Sequence, residues 1–168
     1  RERQRYGTNC AVCADVAEFV LMTAGEKLAA AARTWLGTPY VHNAKIRGGG
    51  VDCARLVIGA AEDAGLIARD SLDPGDYSNE WHLHRQEDVM RKIAEEYCDE
   101  VTEMACGDIL LYQYGRVCSH AGIYVGGDEV IHAYVGAGAI LSRTNDIIFY
   151  TRAGKHRLRH IYRFRGSM

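Results

Sequence analysis

Three residues of this chain, Cys53, His120 and His132, have side chains that could together perform nucleophilic catalysis. Cys53 follows Asp52 and the glycine run 48–50, and it begins a segment with a helical pattern. A cysteine at a helix N-terminus lies beside unpaired backbone N–H groups and the positive end of the helix dipole, which both favour the thiolate. An imidazole brought to this sulfur would act as a base, and a third group would orient the imidazole. The pattern predicts a cysteine hydrolase.

Each of these residues has a distinct role in that chemistry. Cys53 attacks an amide carbonyl, and His120 takes the thiol proton and later protonates the leaving amine. His132 accepts a hydrogen bond from His120 and so fixes its tautomer. Backbone N–H groups at the start of the helix can stabilise the oxyanion, with Tyr40 or His42 nearby.

Helical patterns dominate the first part of the chain. Thr23 and Glu26 form a capping box for the first predicted helix, and Asp52 is a natural N-cap for the second. Residues 38–50 form a loop that leads to the nucleophile, and residues 66–84 form an irregular insert. The predicted helices span residues 23–37, 52–64 and 85–101.

After residue 107 the apolar period changes to two, which predicts strands. Glycines at the turns between the first four strands suggest a meander. Helices followed by antiparallel strands indicate an α+β fold, with N-terminal helices packed on a C-terminal antiparallel sheet. The predicted strands span residues 107–114, 120–125, 129–135, 139–143 and 159–165.

The two histidines lie on successive predicted strands, so the turn between them decides whether they meet. A two-residue turn of Gly126 and Gly127 would make His132 face away from His120. A three-residue turn, over 126–128 or 125–127, would place both histidines on one face. The catalytic hypothesis therefore requires an odd-length turn with a glycine in a left-handed conformation.

Composition limits the class of protein. The 168 residues, 48% hydrophobic and 25% charged, suit one domain with a sizeable core. We expect a domain over residues 23–168, preceded by an extension at residues 1–22 with apolar residues at helical spacing. A net charge of −2 and a pI of about 6.4 give no indication of nucleic-acid binding. No apolar run is long enough to cross a membrane.

The cysteines and remaining histidines do not predict a metal site. The spacing of the six cysteines shows no disulfide framework. Cys10 and Cys13 form a C-x-x-C pair, but a zinc site needs two more ligands at suitable spacing. His82 and His84 form an H-x-H beside Trp81, again without obvious partners. We expect neither a metal nor another cofactor, and Trp81 is a candidate for a substrate-groove wall.

Five segments of the chain, in this order, resemble the NlpC/P60 family of papain-like cell-wall peptidases. The resemblance covers roughly residues 28–135, and the segments are specific as a set. The matching segments are Ala32–Tyr40 (ARTWLGTPY), Gly50–Cys53 (GVDC), Gly107–Tyr112 (GDILLY), Ser119–Gly126 (SHAGIYVG) and Val130–Ala133 (VIHA).

This resemblance implies a papain-like fold, a triad of Cys53, His120 and His132, and cleavage within peptidoglycan stem peptides, typically between D-glutamate and a diamino acid. It also places Tyr40 and Asp52 at the substrate groove. Ser119, which precedes His120 in its motif, is a further candidate for substrate binding. The partners it implies are peptidoglycan stem peptides.

The insert between residues 77 and 85 looks more like that of phage-tail-associated members of the family. It implies phage tail proteins as further partners. The apolar stretch from Cys10 to Ala24 contains Asp15 and Glu18 and is not predicted to be a signal peptide. We expect synthesis in the cytoplasm and action at the cell wall or periplasm, in a virion tail if the phage resemblance holds.

Two residues after the nucleophile depart from the Ser-Gly usual in the family. Ala54 removes a hydroxyl that could contact substrate. Arg55 adds a guanidinium one turn from the thiol, where it could hold a substrate carboxylate or could be a surface arginine. The C-terminal segment 152–165 is also rich in arginine. It could touch an anionic polymer, although an amphipathic last strand is favoured.

Two other functions are compatible with the same pattern. The chain could be a structural tail-tip component that keeps the hydrolase fold for assembly. It could also be an amidase or transferase that acts on another amide, since triad chemistry does not specify the substrate.

Overall fold

The computed structural model describes residues 22–75 and 88–165 of the chain. Three α-helices and a six-stranded antiparallel sheet form one α+β unit over this part of the chain, as predicted. The helices are α1 (Ala24–Arg33), α2 (Cys53–Asp63) and α3 (Val89–Tyr97), and a 3₁₀ turn spans Ile147–Phe149. The strands are β1 (Lys45–Ile46), β2 (Gly50–Val51), β3 (Cys98–Val101), β4 (Ile109–Gln113), β5 (Cys118–Gly126), β6 (Glu129–Tyr134), β7 (Gly138–Arg143) and β8 (Leu158–Phe164).

The large sheet has the strand order β3-β8-β4-β5-β6-β7. Strands β4 to β7 follow one another in space as they do in sequence, which confirms the predicted meander. β8 returns to pair with β4, and β3 pairs with β8 at the edge of the sheet. The meander places the two histidine strands, β5 and β6, side by side.

Both predicted N-caps are present. The Thr23 hydroxyl accepts from Glu26 N–H at 3.2 Å, and the Glu26 carboxylate accepts from Thr23 N–H at 2.8 Å. Asp52 Oδ1 accepts from the Arg55 N–H at 2.9 Å and fixes the start of α2. The first helix is shorter than predicted, because its regular part ends at Arg33 and turns lead to Gly37, which has a φ of 81°.

Two elements differ from the sequence-based prediction. The predicted helix over residues 85–101 ends at Tyr97, and Cys98–Val101 form an edge strand with a buried Cys98 and exposed Asp99 and Glu100. Four residues are too few to separate a helical from a strand period, and pairing with β8 decides between them. Residues predicted as loop also contain a short hairpin, in which β1 pairs with β2 just before Cys53.

The two faces of the sheet are covered differently. The helices pack on one face over an extended apolar core that includes Leu28, Leu56, Ile123 and Ile131. The opposite face carries a smaller cluster of buried side chains, and the segment that contains the 3₁₀ turn contributes Phe149 to it. The members of this second cluster are Leu110, Tyr112, Val130 and Phe149.

The C-terminal arginines serve the fold. Arg163 holds the fully buried carboxylate of Asp108 with two bonds of 2.8 and 2.9 Å. Arg165 bonds to Asp99 at 2.8 Å and to three backbone carbonyls near the end of α3. These contacts agree with the favoured amphipathic strand, and they leave two of the arginines engaged within the protein.

Candidate active site

Cys53 is the first residue of α2, and its side chain is 7% exposed. The preceding residue, Asp52, is fully buried, and its two carboxylate oxygens have separate partners. Oδ1 accepts from the backbone of Arg55, and Oδ2 accepts from the Asn43 N–H at 2.8 Å. Asp52 therefore ties the loop before β1 to the helix that carries the nucleophile candidate. The sequence predicted that Asp52 binds substrate, but the structure places its carboxylate inside the protein.

Arg55 lies beneath the same helix end and is 7% exposed. Its Nη1 donates to Asn43 Oδ1 at 2.9 Å and lies 3.5 Å from Asp52 Oδ2. Its Nη2 donates to the Gly75 carbonyl at 3.2 Å and lies 3.5 Å from Asp73 Oδ1. The sequence offered two roles for Arg55, a ligand of a substrate carboxylate or a surface arginine, and the structure matches neither. Arg55 is not a surface residue, and its guanidinium is already engaged by protein groups, so the geometry supports a positioning role instead of a contact with substrate.

The backbone of β5 alternates between its two neighbours. Tyr124 exchanges backbone hydrogen bonds with the two residues just before β4, donating to the Asp108 carbonyl and accepting from the Gly107 N–H. In an antiparallel ladder, residues at odd distances from Tyr124 direct their N–H and C=O groups to the other side. The peptide groups of Ala121 therefore point toward β6, whereas Ser119 lies at a register shift between β4 and β5.

β6 does not reach those groups, because its pairing with β5 runs only from Gly122 to Gly126. The Cys53 thiol lies in the gap. Its Sγ is 3.8 Å from the Ser119 carbonyl oxygen, and the Ala121 N–H acts to lower the pKa of the thiol. The sulfur thus lies beside backbone groups on either side of His120, at the point where Ala133 and Tyr134 of β6 pair with β7 and no longer with β5.

The tip of the β5–β6 turn holds two residues, Gly127 and Asp128, between the paired residues Gly126 and Glu129. Both tip residues have a positive φ, of 62° and 61°, as a type I′ turn requires. An even tip alone would direct His132 away from His120.

A β-bulge in β5 adds one residue between the paired residues of the two strands and so makes their number odd. The pairing shifts by one residue between Tyr124 and Gly126, so that Gly122 pairs with His132. His120 and Gly122 share a face of β5, and His132 shares the same face of the sheet. The prediction that the site requires an odd-length turn is therefore wrong, because one bulged residue corrects the register of a two-residue turn and keeps both histidines on one face.

The two imidazole rings are in hydrogen-bond contact. His120 Nε2 lies 2.9 Å from His132 Nδ1, and the rings are nearly perpendicular, at 89°. His132 Nε2 lies 2.9 Å from the hydroxyl of Ser142 on β7. Gly122 has no side chain between the histidines, and a Cβ there would lie 2.6 Å from Val130 Cγ2. His120, His132 and Ser142 thus form one hydrogen-bonded group, and the Cys53 thiol contacts the carbonyl of the residue that precedes His120.

Sequence reasoning missed Ser142. Its only signal is the register of β7, in which residue 142 pairs with Val130 and so faces the same side as His132. Registers between strands are not readable from one sequence, so a serine in a strand carried no distinguishing feature.

The protonation of the site differs from the expectation of a thiolate. Burial, with the nearby Asp52 carboxylate, raises the pKa of the Cys53 thiol to about 12. The N–H groups of Cys53, Ala54 and Ala121 lower this pKa, but burial outweighs them. Burial and the neighbouring His132 lower the pKa of His120 to about 3. The resting pair is therefore a neutral thiol and a neutral imidazole.

The same environment acts on His132. Burial lowers its pKa to about 4, and the charge of Asp146 opposes this shift. Phe149 lies against the ring, with centroids 5.1 Å apart, and also stacks on Tyr112 at 4.4 Å. The histidine pair is thus neutral and embedded in the second cluster.

Tyrosines surround the open side of the site. Burial raises the pKa of Tyr40 to about 12, with smaller contributions from the nearby Cys53 and Asp52. Burial also raises the pKa of Tyr114 to about 12, and Tyr134 and Cys53 contribute. Tyr40, Tyr114 and Tyr134 are all partly exposed. The Tyr114 hydroxyl donates to the Ile148 carbonyl at 2.5 Å, so the hydroxyls of Tyr40 and Tyr134 are the candidates for hydrogen bonds to a substrate.

The other predicted site residues have these positions. Ser119 donates its hydroxyl to the Tyr114 carbonyl at 3.0 Å, and its own carbonyl contacts the thiol. Trp81, together with the histidines and cysteines considered for metal binding in residues 1–21 and 76–87, lies outside the described residues. Within residues 22–75 and 88–165, no group of three histidine, cysteine or acidic residues is arranged to hold a metal ion. No helix in these ranges is long and apolar enough to span a membrane.

Comparison with known proteins agrees with this geometry. The model of the NlpC/P60 family matches residues 37–158, a range that contains Cys53, His120, His132 and Ser142. Among curated proteins, no sequence matches this chain significantly.

Several solved structures share the fold. NlpC1 from Trichomonas vaginalis superposes with a TM-score of 0.61 at 18% identity, over 96% of this chain and 46% of that chain. The present chain therefore spans less than half the length of NlpC1. The NlpC/p60 domain of the peptidoglycan hydrolase SagA gives a TM-score of 0.54 at 19% identity, over 86% of this chain and 98% of that chain.

RipD from Mycobacterium tuberculosis has a TM-score of 0.52 at 17% identity, over 84% of this chain and 98% of that chain. RipD is described as a non-catalytic NlpC/p60 domain protein adapted to a peptidoglycan-binding function. At these identities the likeness establishes the fold alone, and it confirms the predicted fold class.

Proposed function

The chain belongs to the NlpC/P60 family, and we propose that it is a cysteine peptidase that hydrolyses amide bonds in peptidoglycan stem peptides. The observation that carries this proposal is the contact between His120 and His132 at 2.9 Å beside a thiol at a helix N-terminus. A nucleophile, a base and a group that orients the base are the minimum for acyl transfer through a covalent intermediate.

The first half of the reaction forms an acyl-enzyme. The Cys53 sulfur attacks the carbonyl carbon, and the thiol proton passes to Nδ1 of His120, the ring nitrogen that His132 does not engage. The C–N bond then breaks, and the same proton goes to the leaving amine. Water attacks the thioester with His120 as base, and the thiol is regenerated with release of a carboxylic acid.

The backbone N–H groups of Cys53 and Ala54 lie close enough to the sulfur to lower its pKa. They are therefore suited to stabilise the negative charge that develops on the substrate oxygen. Because thiol and imidazole are both neutral at rest, proton transfer accompanies attack and does not precede it.

The substrate class rests on the family and on the open side of the site. We infer stem peptides cut between D-glutamate and a diamino acid, and action at the cell wall or periplasm. The hydroxyls of the partly exposed Tyr40 and Tyr134 offer hydrogen-bonding groups for the peptide there. Delivery by a phage tail is a further proposal, whose sole support is the sequence of residues 77–85.

Peptidoglycan binding without cleavage is a second candidate. It is favoured by the fold likeness to RipD, which is described as non-catalytic. The retained contacts of Cys53, His120 and His132 favour catalysis, because a purely binding domain has no need of an oriented base. Hydrolysis of, or transfer to, another amide would use the same residues and is separated by the products.

The test is digestion of purified peptidoglycan, containing either diaminopimelate or lysine, by the wild-type protein, Cys53→Ala and Cys98→Ala. Cys98 is a second buried cysteine, on β3 and remote from the histidines, and is the matched control. We expect the wild type and Cys98→Ala to release fragments that end in D-glutamate, and Cys53→Ala to release none. Mass spectrometry identifies the products.

Three results would overturn the proposal. Sedimentation of all three proteins with peptidoglycan without any release would support the binding function instead. Equal release by Cys53→Ala would exclude Cys53 as the nucleophile. Products cut at another amide would retain the peptidase chemistry and change the substrate.

A further inference from the structure

His132 has both of its ring nitrogens engaged, and each contact is 2.9 Å long. Nδ1 faces Nε2 of His120, and Nε2 faces the Ser142 hydroxyl. Ser142 lies on β7 opposite Val130, two positions along from the pair of His132 with Ile140 and on the same face of the sheet. Two neighbouring strands therefore bring the hydroxyl diagonally across to the ring, on the face that carries both histidines.

A neutral imidazole carries one proton, so the group has two possible arrangements. In the first, His132 donates Nε2–H to Ser142 and accepts at Nδ1 from His120 Nε2–H. Nδ1 of His120 then has a free lone pair and can take a proton. In the second, Ser142 donates to His132, whose Nδ1–H donates to His120, and Nδ1 of His120 is already protonated. Only the first arrangement gives a base.

The nearly complete burial of both rings makes this choice consequential. His132 is fully buried and His120 is 8% exposed, so water cannot readily exchange one tautomer for the other. Within the described residues, the charged and titratable groups that face the pair are the Asp146 carboxylate and the tyrosines 112, 114 and 134. Over the same part of the chain, the hydrogen-bond contacts of the His132 ring are with His120 and Ser142 and with none of these groups.

We propose that Ser142 is a positioning residue that holds the proton of His132 on Nε2 and thereby keeps Nδ1 of His120 free to accept the thiol proton of Cys53. The consequence for catalysis rests on the proposed peptidase function. The effect on the tautomers does not, and it can be measured without substrate.

The experiment uses three variants of the full chain. Ser142→Ala removes the acceptor, and Ser142→Thr keeps it. Thr144→Val removes a hydroxyl two residues further along, where the backbone carbonyl, at 3.1 Å from His156 Nε2, serves the fold. Nitrogen-15 NMR of the histidine rings at neutral pH reports which nitrogen carries each proton. Steady-state kinetics on a stem peptide report kcat and KM.

We expect Nε2–H tautomers of both His120 and His132 in the wild type, in Ser142→Thr and in Thr144→Val. In Ser142→Ala the Nδ1–H forms should become populated. That variant should lose about 10-fold or more in kcat with KM little changed, because part of the population lacks a base. Ser142→Thr should stay within about threefold of the wild type.

Unchanged tautomers in folded Ser142→Ala would overturn the proposal, as would an Nδ1–H on His132 in the wild type. A loss of kcat in Ser142→Ala without a tautomer change would likewise assign the effect to packing. A protein that cleaves no peptide but whose tautomers shift in Ser142→Ala would overturn the peptidase function and support the assignment of Ser142.

Discussion

The two sides of the candidate site are built by different interactions. The nucleophile side, which consists of Asp52, Cys53 and Arg55 with Asn43, is held by directional bonds among charged and backbone groups. On the histidine side, His120 and His132 lie against the aromatic rings of the second cluster, and within the described residues their ring nitrogens bond to each other and to Ser142.

Because of this difference, we expect substitutions on the nucleophile side to change mainly the stability of the fold and substitutions on the histidine side to change mainly the catalytic rate. Asp52 and Arg55 on the nucleophile side are buried ions, and the loss of one of them leaves the other without its opposite charge. The histidine side contains neutral groups in an apolar setting, so changes there alter proton transfer more than they alter folding. The following predictions test that separation, from the largest expected effect to the smallest.

Replacing His120 by alanine should abolish the base while leaving the ion network intact. We expect kcat/KM to fall by about 10³-fold or more, which is roughly 4 kcal/mol of transition-state stabilisation. The midpoint of urea unfolding should change little by comparison. A variant that unfolded readily would show that the histidine side also supports the fold.

Replacing Arg55 by alanine should have the opposite profile. The fully buried Asp52 would lose its nearby cation, and we expect about 3 kcal/mol of unfolding free energy to be lost. KM of the folded fraction should be unchanged, since the guanidinium contacts protein groups. Urea denaturation and kinetics under native conditions measure these quantities.

Arg69→Ala is the matched control for that experiment. Arg69 bonds to Asp63 from a side chain that is 71% exposed, so its removal should cost less than about 1 kcal/mol. A raised KM in Arg55→Ala with unchanged stability would restore the substrate-carboxylate role considered from the sequence.

Phe149→Leu should couple the two properties, because the ring is fully buried and contacts both Tyr112 and His132. We expect a loss of about 1–2 kcal/mol in stability and a severalfold fall in kcat. Phe164→Leu is the control, since Phe164 packs against the main core on the helical face. A similar fall in kcat for both variants would indicate a general loss of rigidity.

The folding equilibrium should also depend on pH through the histidines. Their pKa values in the folded protein, about 3 and 4, lie below the ordinary 6.5, so the unfolded chain binds more protons between about pH 6.5 and 4. Stability should therefore fall on acidification through this range, by up to about 1.4 kcal/mol per pH unit for each histidine. The unfolding free energy of the double variant His120→Gln/His132→Asn, measured with urea at each pH, should depend less steeply on pH than that of the wild type. Equal pH dependence in the two proteins would contradict the burial of neutral imidazoles.

Much of the fold was predictable because local signals were strong. The capping box at Thr23, the N-cap at Asp52 and the period of two after residue 107 each depend on neighbours in sequence. Strand Cys98–Val101 and the β1–β2 hairpin were missed, since both are too short for a period and depend on pairing with distant or irregular partners.

The order and motifs of Cys53, His120 and His132 are properties of the sequence, and they sufficed to identify the family. They also raised the question whether the turn between the two histidine strands places both histidines on one face of the sheet. Only the tertiary structure showed that the two histidines share a face, because a bulge before Gly126 sets the register of β5 and β6. It also decided the burial that keeps thiol and imidazole neutral, the engagement of Arg55 and the approach of Ser142 to His132. Solvation and strand register are properties of the assembled chain, which no stretch of residues specifies by itself.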